Sequence, residues 1–181
     1  MSQPGQGCAA VNRENRGGQE AGQPRRQTNA IVVGVDGSDC SCARTAILVA
    51  AREARYRDAP LIAVQAYGGE RTLVGPAARA GPTLRTPADD ERMRAESSLR
   101  EALRDALGDL ADRVEVRAVL GLAGRRIVEI AHKVNAQLIV LATRGSTSLL
   151  IGTVSQYVLR KAPCPVLIVP AGSPMALSAA P

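Results

Sequence analysis

Two short stretches hold the residue types that could do chemistry, and the chemistry they suit is the holding of an anion. The first is Asp36-Gly37-Ser38, which closes the apolar run Ile31–Val35 and reads as a turn whose Ser38 or Ser41 can cap the next helix. In the second, Gly145 and Gly152 flank a loop that ends at Thr153. Thr153-Val154-Ser155-Gln156 reads as a Thr-x-x-Gln capping box opening a helix. Such a helix start aims unpaired backbone N–H groups and a partial positive charge at the loop before it, so a phosphate is the natural guest. The same residues also serve a tight turn and a helix start with no guest at all.

Other chemistries lack their residues. The single histidine, His132, lies in a helical stretch among charged neighbours and reads as a surface residue, which leaves no Ser–His–Asp set. Counting from Gly34, Asp36 and Asp39 stand where a dinucleotide fingerprint needs glycine, and a P-loop Gly-x4-Gly-Lys-Ser/Thr is absent. The four cysteines (Cys8, Cys40, Cys42, Cys164) lack zinc spacing and suggest no disulfide framework, so a reducing cytoplasm is expected. The net charge of +6 is almost all arginine, with Lys133 and Lys161 the only lysines, and most of the charge is interleaved with acids along helices. That pattern is a solvated surface rather than a nucleic-acid interface. Three tyrosines and no Trp or Phe leave no platform for stacked bases. No apolar run reaches membrane-spanning length and the N-terminus is polar, so neither nucleic acid nor membrane is an expected partner.

The elements that must position the two stretches follow from the hydrophobic pattern. Residues 1–29, polar and rich in Gly, Gln, Asn and Arg, read as a disordered tail, 30–170 as one domain, and 171–181 as a small-residue tail. Ile31–Val35, Leu61–Ala66, Leu138–Leu141 and Val166–Val169 are short apolar runs that suit strands covered on both faces. Val114–Leu120 alternates, with Val114, Val116, Ala118 and Leu120 on one face, which marks a partly covered edge strand. A helix from about Ser41 to Arg57 puts Ala43, Ala46, Ile47, Ala50 and Ala54 on one stripe. A second helix starts with Pro87 in its first turn and carries Met93, Leu99, Ala102, Leu103, Ala106 and Leu110 inward. A third, from about Arg125 to Val134, buries Ile127, Val128, Ile130, Ala131 and Val134. Residues 68–86 form a long connection without periodicity. Strand and helix alternate throughout, so right-handed crossovers give an α/β fold, a five-stranded parallel sheet with helices on both faces. Ligands of such sheets sit beyond the carboxyl ends of the strands at the switch in strand order. The candidates here are Asp36, Ala66 and Ala142 to Gly145.

Residues 30–170 resemble the universal stress proteins. The resemblance rests on Val33-Gly34-Val35-Asp36-Gly37-Ser38 with Ser41 and Ala43, and on Ala136-Gln-Leu-Ile-Val-Leu-Ala142-Thr-Arg-Gly145. It rests most specifically on Gly152-Thr153-Val154-Ser155 running to Ala162-Pro-Cys-Pro-Val-Leu-Ile-Val169. It implies a Rossmann-like fold of the adenine-nucleotide α-hydrolase type, usually a homodimer, in a family with ATP-binding members and members that bind no nucleotide. The binders carry Gly-x2-Gly-x9-Gly-Ser/Thr after the fourth strand. Here the first glycine is Ala142, and six residues rather than nine separate Gly145 from Gly152. Three missing residues remove up to about 10 Å of contour from the loop around the phosphates.

Carried over by position, Asp36 faces the ribose and adenine, Ala66 the adenine, and Gly145, Gly152, Thr153, Val154 and Ser155 the phosphates; Val35 and Ala142 complete the implied nucleotide-binding set, with magnesium accompanying ATP. No general base or metal cluster is evident, so any hydrolysis should be slow. The alternative is a protein-interaction module whose pocket the shortened loop has closed. The continuous apolar run Val166–Val169, at an edge of the sheet, is the expected dimer contact.

Overall fold

The computed structural model describes residues 29–37, 41–68, 87–143 and 152–170. The expected tails, most of the 68–86 connection and the loop containing Gly145 lie outside the described residues. The elements run β1 (Ile31–Val35), α1 (Ser41–Tyr56), β2 (Leu61–Gly68), α2 (Pro87–Leu107), a 3₁₀ turn (Gly108–Arg113), β3 (Glu115–Gly121), α3 (Ala123–Lys133), β4 (Leu138–Thr143), α4 (Thr153–Lys161) and β5 (Val166–Pro170). The five strands form one parallel sheet in the order β3-β2-β1-β4-β5. β1 lies at the centre, paired from Ile31↔Leu61 on one side and from Ile31↔Leu138 on the other. The fold is the α/β architecture expected from the sequence.

Each inner strand divides its side chains between two cores, as a period of two requires of a strand covered on both faces. Ile31, Val33 and Val35 of β1 join Ala63 and Val140 beneath α1 and α2, where Ile47, Leu99 and Leu103 are fully buried. Val32 joins Ile62, Val64 and Ile139 on the opposite face, under Ile127, Ile130 and Ala131 of α3 and Val158 of α4. The α1 stripe Ala43, Ala46, Ile47, Ala50 and Ala54 is buried throughout, and so is the expected inward set of α3.

Several expectations need correction. β2 runs on to Gly68 and α3 starts at Ala123, two residues beyond the expected bounds in each case. Met93 and Leu110 are exposed, and Ala95 takes the inward position on α2 instead. Leu120 of the edge strand β3 is also exposed, whereas Val119 packs against the α3–α4 core. Cys42, buried in the first turn of α1, is disulfide-bonded where none was expected.

α1 and α3 end alike. Asp58 and Asn135 take the left-handed conformation, with φ of 49° and 50°. The next amides reach back, Ala59 N–H to the Ala54 carbonyl and Ala136 N–H to the Ala131 carbonyl, both at 2.9 Å. This is the Schellman arrangement, and Asp and Asn tolerate it better than other residues with a Cβ.

Gly34 sits mid-strand because nothing larger fits. A methyl group there would lie 2.6 Å from Leu141 Cδ2 and 2.7 Å from Ile127 Cδ1. Gly34→Ala is therefore expected to destabilise the fold by about 1–3 kcal/mol through overpacking, read as a lower urea midpoint at unchanged m-value.

Candidate functional site

Strand order reverses between β1 and β4. From β1 the chain proceeds outward to β2 and β3, then returns to the far side of β1 as β4 and continues to β5. In parallel sheets of this kind ligands sit beyond the carboxyl ends of the strands at such a reversal, here the ends of β1 and β4. Val35 is buried as the last residue of β1, and Asp36 follows it, exposed, at that edge. Ala66 on β2 and Ala142 on β4 are half-buried near the same edge of the sheet. Gly152, Thr153 and Val154 are exposed at the start of α4, while Ser155 is buried in its first turn. Gly145 lies outside the described residues.

The capping box is not formed. Gly152, with φ −60° and ψ 160°, is the N-cap, and its carbonyl accepts the Gln156 N–H at 2.9 Å. Thr153 is thus the first helical residue, one position too late to cap, and the N-cap Gly152 has no side chain to do so. Glycine is an acceptable N-cap, so the helix gains a residue at little cost. Among the described residues, a side chain at Gly152 would meet nothing within 4 Å. The backbone N–H donors of a helix start and the helix dipole suit an oxyanion.

Gln65 is a neighbour that sequence reasoning missed. It pairs with Val35 in register, is 8% exposed, and its Oε1 is buried with no hydrogen-bond partner. Gly37, at φ 65°, packs so closely that any Cβ would collide with the Gln65 Nε2. The left-handed φ is what reserves this turn position for glycine, and the Gln65 amide packs against it. The available signal was one polar residue inside the apolar run Leu61–Ala66.

His132 is exposed at the end of α3, as expected of a surface residue. The described residues contain no group of three or more His, Cys, Asp or Glu side chains able to hold a metal ion. On α3, Glu129 accepts hydrogen bonds from Arg125 and Arg126 at 2.9 and 2.7 Å, and these hold its carboxyl below the usual range. Burial pushes the Cys164 thiol up, away from the thiolate form. No described helix is long and apolar enough to cross a membrane.

Residues 28–170 match the universal stress protein family, and the chain belongs to it. A universal stress protein of Methanocaldococcus jannaschii is 40% identical over 60 residues, 32% of this chain and 35% of the relative. The match thus spans about a third of that curated relative's length. Among solved structures, a universal stress protein from Archaeoglobus fulgidus is 27% identical with a TM-score of 0.52, over 77% of this chain and 92% of its own. A universal stress protein solved in complex with cAMP is 29% identical with a TM-score of 0.54, over 78% of this chain and 95% of its own.

Because the Thr153 side chain caps nothing, Thr153→Ala should leave stability within about 0.5 kcal/mol of the parent. Thermal unfolding measures this, and a loss of the size of a missing cap, about 1 kcal/mol, would restore Thr153 as the N-cap.

Proposed function

We propose that this universal stress protein binds an adenine nucleotide, ATP with magnesium in the first instance, in the crevice between β1 and β4, and acts in stress response or signalling without fast catalysis. The observation that carries the reading is the first turn of α4, whose N-cap Gly152 offers no capping side chain and meets nothing described within 4 Å, in the same α/β unit as Asp36. Anionic groups of the nucleotide would take the N–H groups of that turn. Asp36, an acceptor, suits the hydroxyl or amino donors of ribose or adenine, with Val35, Ala66 and Ala142 as the nearby apolar surface. Gly145 and the loop after β4 would complete the phosphate end. The similarity to a protein solved with cAMP supports the same ligand class. Magnesium would be held chiefly by the phosphates and water. We propose the cytoplasm as its compartment on the sparse cysteine usage of the chain.

We also propose residues 30–170 as the folding unit and a homodimer joined through β5. This strand is the sheet edge opposite β3, and Val166, Leu167 and Ile168 stay only half-buried. Pairing with the same strand of a second copy would satisfy its outer N–H and C=O groups and cover those side chains.

Calorimetric titration with ATP and magnesium tests the ligand. Saturable binding is expected, weakened by Asp36→Ala; silence toward millimolar ATP, AMP and cyclic AMP would leave the protein-interaction module as the reading. Light scattering at tens of micromolar should give the mass of a dimer, and Ile168→Lys, which plants a charge in the contact, should give a folded monomer. A monomeric parent overturns the dimer.

A further inference from the structure

We propose that a second site, at the opposite end of the sheet from the crevice, binds a small amphipathic carboxylate in its free, monomeric form. A cleft of about 470 Å³ lies where the second half of α1, the α1–β2 turn and the 3₁₀ turn meet. Leu61, the first residue of β2, marks it as the amino end of the sheet. Its volume falls in the small-molecule range of about 300–1,000 Å³, and its concave shape suits a compact ligand better than a flat protein partner.

The floor is apolar. Leu48, Ala51, Leu107 and Val114 line it half-buried, and Leu110 stands at its side 52% exposed. An aliphatic body laid there would remove leucine surface from water, at about 25 cal/mol per Å². The polar lining is mostly cationic. Arg55 and Arg113 are exposed, and neither guanidinium is paired with a described carboxylate. Arg52 is shared with Glu53 at 3.7 Å. Asp58 is the acid among the lining residues, and it has a separate reason to be there as the left-handed residue that ends α1.

Two unpaired guanidinium groups beside an apolar floor match the head and body of an amphipathic anion. A planar carboxylate fits the guanidinium fork in bidentate fashion, and a single negative charge is repelled less by Asp58 than a doubly charged phosphate would be.

The test is amide chemical-shift titration of the full chain with octanoate, against 1-octanol as the uncharged control. Saturable shifts are expected at Ala51, Leu110 and Val114, with octanol at least about fivefold weaker. Arg55→Gln and Arg113→Gln, both at exposed positions, should each lower octanoate affinity by a similar factor while leaving the rest of the spectrum in place. Asp58→Asn keeps a residue at ease in the left-handed conformation, removes the competing charge, and should tighten binding. Equal affinity for octanol, indifference of both arginine variants, shifts confined to the Asp36–Gly152 end, or no response at low millimolar octanoate would each overturn the proposal. So would sedimentation with phosphatidylglycerol vesicles without any response to octanoate, which would make the patch a membrane contact. Failure of ATP to bind bears only on the crevice at the other end of the sheet.

Discussion

The structure depends on β1 being closed on both faces and both edges. Its pairings with β2 and β4 consume its backbone groups, and the two cores consume its side chains. A strand in that position has no room for polar function along its length, so the first polar group it can present is the residue after its end, Asp36. Gly34 is part of the same constraint. Leu141 and Ile127 close over the space its missing side chain leaves, which draws β4 and α3 against β1 and fixes the crevice walls.

The fold was legible because the inner strands are apolar on both sides, rich in valine and isoleucine, and separated by stretches of helical period. The errors have geometric causes. α2 has 21 residues, about 31 Å at 1.5 Å each, whereas β2, at eight residues the longest strand, spans about 26 Å at 3.3 Å each. The helix overhangs its sheet, and Met93, two residues before the buried Ala95 and so about 200° round the helix from it, faces outward. Leu110 lies past the change from 3.6 to 3.0 residues per turn, where the helical phase no longer applies. Leu120 lies near the end of the edge strand β3, where alternation loses its meaning.

The site was legible in part. Asp36, Ala66 and Ala142 could be placed as strand ends from the apolar runs alone. Thr153 could not be placed within one residue, because Gly152 and Thr153 are both acceptable N-caps, and choosing between them decides whether a side chain or an outside acceptor meets the helix. Gln65 escaped because its role lies in contact with Gly37, which is 28 positions away in the chain and becomes a neighbour only through strand pairing. The loop with the three-residue deficit lies outside the described residues.

The crevice also has a polarity that orients any guest. The start of α4, whose N-cap Gly152 offers no side chain, carries a partial positive charge, about half a unit, while the residue after the end of β1 is the acidic Asp36. Phosphate oxygens placed beside Asp36 would meet repulsion; placed over the first turn of α4, they would meet N–H groups for which the N-cap Gly152 offers no side-chain acceptor. A guest with donors at one end and oxyanions at the other is satisfied in one direction only. A bare inorganic anion could use the α4 end but would leave Asp36 and the small-residue wall of Ala66 and Ala142 without a role. That asymmetry favours a nucleotide over a free phosphate, and it does so without requiring the loop to enclose three phosphates: a single phosphate over Gly152 and Thr153 already satisfies it.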